Sequence, residues 1–178
     1  MTIVLVEGES DAVAVRTLAR RLDMSAPRVL PVRGSKGARR AVAHHMGDRL
    51  LGLVDAPERR DFERVIDRVF VCDPDLESEL IRALGVTGVE AVIDAQGELG
   101  SFRRLQRQPQ LRGRSQAHQL VRFLAGRSGN KVRYAALLAE AVALDAVPPP
   151  IDALLAAVRD TDGRGTTGAG EHAEGLTR

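Results

Sequence analysis

Sulfur, large aromatic rings and long apolar runs are all scarce in this sequence. Its only cysteine, Cys72, cannot close an internal disulfide, and no Cys/His cluster offers a structural zinc site. No apolar run approaches the ~20 residues that cross a bilayer. Met1 leads straight into an apolar strand, with no charged segment and signal-type core. The expectation is a soluble, cytoplasmic protein with no membrane partner. Tryptophan is absent, tyrosine occurs once and phenylalanine four times, which leaves little for a platform that stacks bases. Lysine occurs only as Lys36 and Lys131, and acidic residues are missing altogether from 99–139.

Arginine fills part of that space. Residues 1–98 carry 14 Lys/Arg and 17 Asp/Glu, whereas 99–139 carry nine basic residues: Arg103, Arg104, Arg107, Arg112, Arg114, Arg122, Arg127, Lys131 and Arg133. The net charge of +2 conceals this division. An acidic front half followed by a basic segment suits a protein that acts on phosphodiesters, with nucleic acid held mainly by its backbone. The plainer alternative is that the arginines coat ordinary helix surfaces.

The 178 residues suit one compact unit with a small appendage. Apolar strands are predicted at 2–6, 28–32, 50–54 and 69–72, separated by helices near 10–22, 36–46 and 60–66. Asp73-Pro74-Asp75-Leu76-Glu77 reads as a helix start, with Asp73 as N-cap and Pro74 at the first helical position, and Gly85 as the stop. Continuous apolar strands alternating with helices predict an α/β fold: a parallel sheet of about four strands, covered on both faces. From Thr87 onward the pattern is helical only, over 88–96, 98–107, 115–126, 131–144 and 150–158. The expected organisation is an α/β core over 1–86, a basic helical appendage over 87–159 and a disordered tail over 160–178.

Three strands run into acids: Val6 into Glu7, Val54 into Asp55 and Cys72 into Asp73. Ligands of an open parallel sheet bind at the carboxyl ends of its strands, so these acids share one rim. Asp11, Glu58, Asp75 and Glu77 lie within a turn of it. Carboxylates without His or Cys favour Mg²⁺ or Mn²⁺. Plainer roles exist: Asp11 as charge at a helix N-terminus, Asp73 as a cap, Asp75, Glu77 and Glu79 as solvated first-turn acids, Glu58 as a surface loop residue. Glu7 and Asp55 fit those roles least, because each follows a buried strand. Gly8 allows a sharp turn beside a phosphate, and Ser10 could cap the first helix.

With these motifs assembled, the chain resembles a TOPRIM domain, the metal-binding module of topoisomerases, bacterial primases and several nucleases. Val4-Leu5-Val6-Glu7-Gly8-Glu9-Ser10-Asp11 looks like its glutamate motif, and Gly52-Leu53-Val54-Asp55-Ala56-Pro57-Glu58 like its strand-terminal aspartate motif. Over about 1–145 it is more closely similar to the TOPRIM portion of the OLD-family nucleases. That match rests on the Glu7-to-Asp11 spacing, the Asp73–Leu80 segment, and Gly129-Asn130-Lys131 before the helix at 134–143.

The resemblance implies a divalent-metal-dependent DNA endonuclease. Glu7 and Asp11 would hold one Mg²⁺ or Mn²⁺, Asp55 with Asp73 or Asp75 a second, and Glu77 would be a further ligand. Glu7 and Lys131 would be catalytic, with Lys131 near the scissile phosphate, and a homodimer is an implied assembly. Arg103, Arg104, Arg107, Arg112, Arg114, Arg127 and Arg133 would meet the DNA backbone. Two departures stand out. Pro57 occupies the second acid position of the usual Asp-x-Asp pair, with Glu58 one place out of register. No GxxxxGK[ST] loop accompanies the domain, so a free-standing TOPRIM protein is expected, with a separate ATPase partner or none. Two rivals remain: a TOPRIM protein that binds metal and nucleic acid without efficient cleavage, and a non-catalytic Mg²⁺-binding regulatory α/β module.

Overall fold

The computed structural model describes residues 1–126 and 129–162, with side chains described to residue 160. Strands β1 (Thr2–Val6), β2 (Arg28–Pro31), β3 (Arg49–Asp55) and β4 (Val69–Cys72) form one parallel sheet in the order β2-β1-β3-β4. Between them lie α1 (Glu9–Arg21), α2 (Ser35–His44), a single 3₁₀ turn at Ala56–Glu58 and α3 (Arg59–Glu63). After β4 the described chain is helical: α4 (Leu76–Ala95), α5 (Leu99–Gln106), α6 (Gln116–Leu124), α7 (Asn130–Ala141) and α8 (Pro149–Asp162). The sheet is α/β as its strand pattern requires, and the C-terminal part is helical.

Period-two alternation divides the sheet's side chains between two cores. Ile3, Leu5 and Val54 point to one face and pack with Ala38 of α2 and with Phe62 and Ile66 around α3. Val4, Val6, Leu51 and Leu53 point to the other, where α1 and helices α4–α8 build the larger core. Each such buried aliphatic side chain contributes about 1.5–3 kcal/mol. Three of the five Phe and Tyr rings sit in this larger core, Phe123 meeting Phe102 edge-on at 5.3 Å and Tyr134 at 6.1 Å. They are spent on packing.

Helix α7 places the C-terminal half against the sheet half. It lies along α1 and also meets α4, burying Tyr134, Ala135, Leu138 and Ala139. Alanines on both helices, including Ala12 and Ala14 of α1, let the two backbones come close. This packing explains why α1 buries more than one stripe: its predicted inward residues Val15, Leu18 and Ala19 are joined by Ala12 and Ala14, while Val13 and Leu22 are only partly covered.

Two helix starts differ from the sequence reading. Helix α4 is capped by Asp75, whose carboxylate accepts from the Ser78 N–H at 2.8 Å. Asp73 therefore does not cap it, and Pro74 precedes the helix on a cis Asp73–Pro74 bond. Helix α1 starts from Gly8 rather than Ser10; Ser10 is buried within its first turn. The expected stop at Gly85 is present as a break inside α4, where Gly85 takes φ 67°. Glycine adopts that left-handed conformation without the steric cost other residues meet. Of the expected tail at 160–178, α8 continues to Asp162 and the remainder lies outside the described residues.

Candidate metal centre

Strands β1 and β3 lie side by side in the middle of the sheet, and the chain leaves them in opposite directions, toward β2 and β4. In open parallel sheets the crevice at such a reversal is where ligands bind. Glu7 follows β1 and Asp55 closes β3, and the two meet there: the Asp55 N–H donates to Glu7 Oε1 at 3.1 Å. Asp11 is held in the same turn, because the Gly8 N–H donates to its Oδ2 at 2.7 Å. The start of α4 is tied to the end of β3, with the Leu76 N–H donating to Asp55 Oδ1 at 3.1 Å. The Ala56 N–H donates to the Pro74 carbonyl at 3.0 Å.

That tie brings in Glu77, which is 5% exposed. Its Oε2 lies 3.3 Å from Lys131 Nζ, at the start of α7. Its Oε1 is buried and accepts no hydrogen bond. A buried acceptor left unpaired costs about 1–3 kcal/mol, and more when charged.

Proton affinities record the same crowding. Asp55 is pushed up to about 7, first by burial, then by the charges of Glu7 and Asp11. Burial also raises Glu7, helped by Glu58 and Asp11 and opposed by the Asp55 amide. Asp11 is raised by burial against the Gly8 amide and Lys131. Glu77 is raised by burial, with Lys131 opposing and Asp75 and Asp11 adding to the rise. Burial alone would lower Lys131, but Glu77, Asp11 and Asp55 hold it above its ordinary value. The ammonium thus lies within electrostatic reach of all four carboxylates.

The donor set suits a hard divalent cation. It consists of carboxylate oxygens, one of them buried and unpaired, in a place that penalises their ionisation until positive charge arrives. Among the described residues no three Asp, Glu, His or Cys side chains converge tightly enough to hold an ion as they stand. Binding would therefore require side-chain rotation. Cys72 is buried at the end of β4, and its thiol is raised by burial and the neighbouring acids, which keeps it protonated.

The other predicted residues divide. Asp75 caps α4 near Glu77. Glu58, at the end of the 3₁₀ turn, is half-buried and close enough to raise Glu7, so it is no ordinary loop residue. Asp73 is exposed; its backbone is what is bonded, its N–H to Glu79 Oε1 at 3.1 Å and its carbonyl to Arg82 at 2.7 Å. Glu79 was expected to be solvated but is buried, and it also pairs with Arg82 at 2.6 Å. This Glu79–Arg82 bracket fixes the end of β4 and was missed. The i,i+3 spacing of an acid and an arginine beside a strand end was its only signal.

The basic segment divides as well. Arg103 grips Glu90 through two bonds of 2.8 and 2.6 Å, and Arg133 pairs with Glu98 at 2.9 Å while lying over the Tyr134 ring. Arg104, Arg107, Arg112, Arg114 and Arg122 are exposed on α5, α6 and the loop between them. Arg127 lies outside the described residues. The Tyr134 hydroxyl donates to Glu98 at 2.7 Å, and burial pushes its pKa up to about 12. A tyrosine held this way is a core residue, not a nucleophile.

No family model matches the sequence, and no curated protein matches it. Solved structures do. The C-terminal region of the Burkholderia pseudomallei OLD protein superposes with a TM-score of 0.61 at 19% identity, over 90% of this chain and 97% of that one. The C-terminal region of the Xanthomonas campestris pv. campestris OLD protein, in its iodine-phased structure, gives 0.64 at 20% identity, over 92% and 96%. The mercury-phased structure of the same region gives 0.64 at 19%, over 92% and 97%. The chain therefore has the fold of the OLD C-terminal regions across most of its length, as the sequence resemblance implied.

Proposed function

We propose that this chain is a divalent-metal-dependent DNA endonuclease that hydrolyses or nicks phosphodiester bonds. The observation that carries the reading is the gathering of Glu7, Asp11, Asp55 and Glu77 around the Lys131 ammonium, where the sheet's connections reverse. The fold likeness to OLD C-terminal regions supports it, since the sequence resemblance to that family implies a nuclease. Glu7, Asp11 and Asp55 would hold Mg²⁺ or Mn²⁺, with Glu77 and Asp75 beside them. A metal bound there supplies polarisation of the phosphodiester and a more acidic attacking water.

The protein's own part is positioning and charge. Backbone amides of Gly8, Asp55 and Leu76 each hold one carboxylate oxygen of Asp11, Glu7 and Asp55, which orients the other. Lys131, with 47% of its side chain exposed, reaches from the acids toward solvent and can offset charge on a phosphate or a leaving oxygen. Arg104, Arg107, Arg112 and Arg114 supply phosphate contacts that do not depend on sequence. Either a separate ATPase chain serves such a nuclease or its activity needs no ATP, and a homodimer is a candidate assembly.

Incubating supercoiled plasmid with purified protein and Mn²⁺ or Mg²⁺ tests this. Nicked circles are expected, and they should vanish with a chelator or with Glu7→Gln. Nicking that survives Glu7→Gln sinks the proposal. A second reading, metal and DNA binding without efficient cleavage, is favoured by Pro57 in the second acid position and by the exposure of Asp73. Salt-sensitive DNA binding with no nicking would select it.

A further inference from the structure

The four buried-rim acids are not held alike. Glu7, Asp11 and Asp55 each accept an N–H from another residue's backbone, whereas Glu77 meets only its own backbone amide and the Lys131 ammonium, and its Oε1 has no hydrogen-bond partner. Lys131 is also the only lysine of the basic segment, in a chain that otherwise uses arginine there. Lysine is a compact point charge, closer to an ion than arginine's planar fork is. Its helix is anchored through Tyr134, Ala135, Leu138 and Ala139, so the ammonium is delivered to Glu77 by packing.

We infer that Lys131 is a built-in cation that takes the place of a second divalent ion. The chain then binds one Mg²⁺ or Mn²⁺ through Glu7, Asp11 and Asp55, while Lys131 neutralises Glu77. Two further facts agree. Asp73, one of the two acids offered for a second set, faces solvent with its backbone pinned by Glu79 and Arg82, and the other, Asp75, commits its Oδ1 to the cap of α4. Position 57 carries a proline, which has no side-chain donor for a metal. The inference deepens the proposed function and rests on it only for the identity of the metal.

Counting bound Mn²⁺ by equilibrium dialysis, alongside calorimetric titration, tests this on wild type, Lys131→Met and Lys131→Arg. One ion per wild-type chain is expected. Lys131→Met, similar in length but uncharged, should bind two, and Glu77→Gln added to it should return the count to one. Lys131→Arg keeps the charge and should stay at one, which separates loss of charge from damage to the fold. Two ions in wild type, or one in Lys131→Met with unchanged affinity, overturns the inference and leaves the nuclease reading standing. Counts as expected, with no nicking of plasmid by wild type, overturns the nuclease reading and leaves the inference. No binding by wild type at all overturns both.

Discussion

Two aspartates bracket β3, and they meet opposite fates. Asp48, just before the strand, faces the Met1 amino group at 3.2 Å and His45 at 3.3 Å, and the amino group draws its pKa down. Asp55, at the other end, is pushed up to about 7 by burial and by neighbouring acids. The residue type and the strand are the same. What differs is the end of a parallel sheet: one offers solvent and cations, the other a crevice where connections part. A charge given partners by its surroundings holds structure together, and a charge concentrated without them marks a site. The same contrast separates Arg103, spent on Glu90, from the exposed Arg107.

The largest break in this symmetry should come from neutralising the carboxyl end. Glu7→Gln removes a proposed metal ligand. Loss of an outer partner of a ligand already costs about 10–100-fold in metal affinity or activity, so nicking should fall by more than about 100-fold. The Mn²⁺-induced rise in melting temperature should shrink with it. Asp48→Asn, at the amino end, should leave both unchanged. Equal losses from the two substitutions would mean that the crevice is not the active end.

Next in size is the pH response of the metal-free protein. Asp55 is pushed up to about 7 when folded and returns to its ordinary value of 3.8 when unfolded, so the folded state binds more protons between those values. Its stabilising contribution is complete below about pH 4 and disappears as pH rises through about 7. Asp55→Asn has no such proton to lose. Without metal it should therefore melt above wild type at pH 8, with the gap closing toward pH 4. Saturating Mg²⁺ should reverse the order at pH 8, because the cation stabilises the ionised carboxylate. Urea melts at several pH values read this directly, and a gap that widens toward pH 4 would refute the assignment.

The strand ends were legible because an apolar run entering an acid is visible in one dimension: Glu7 and Asp55 stand in the crevice for that reason. Asp11 was legible through its spacing on the first helix turn. Asp73 and Asp75 could not be ranked, since both precede α4 and only the Glu79–Arg82 bracket decides which one caps it. Strand order was hidden for the same reason, as the connections of a parallel sheet do not state which side they cross. Lys131 stood out by residue type, but its place beside Glu77 depends on α7 packing on α1, a contact between segments more than a hundred residues apart. Within the basic segment Arg103 and Arg133 pair with Glu90 and Glu98, acids that precede the acid-free stretch and so lie outside the window that made it look unpartnered.

Those arginines sharpen the contrast at intermediate size. Arg103→Ala strands the half-buried Glu90 and should cost roughly 1–2 kcal/mol of stability, seen as a lower urea midpoint. Arg107→Ala should leave the midpoint alone and instead lower the slope of log K for DNA against log salt by about 1. If Arg107→Ala destabilises the fold while its salt slope stays that of wild type, exposure is a poor guide to function on these helices.

The smallest effect belongs to Asp48. Its folded pKa is lowered, so its contribution is present above the unfolded value and lost as pH falls through the folded one, opposite in sign to Asp55. Both partners of Asp48 lie at the surface end of the sheet, where screening by salt is strong. Asp48→Asn should therefore melt slightly below wild type at pH 7, and the difference should fade both on acidification and on raising salt. Asp55→Asn differs from wild type in the other direction at neutral pH. Measured on one instrument, the two substitutions should lie on opposite sides of the wild-type curve at neutral pH; the Asp55→Asn gap should close toward pH 4, and the Asp48→Asn gap only below it. A common sign would show that the two ends of β3 do not treat a carboxylate differently.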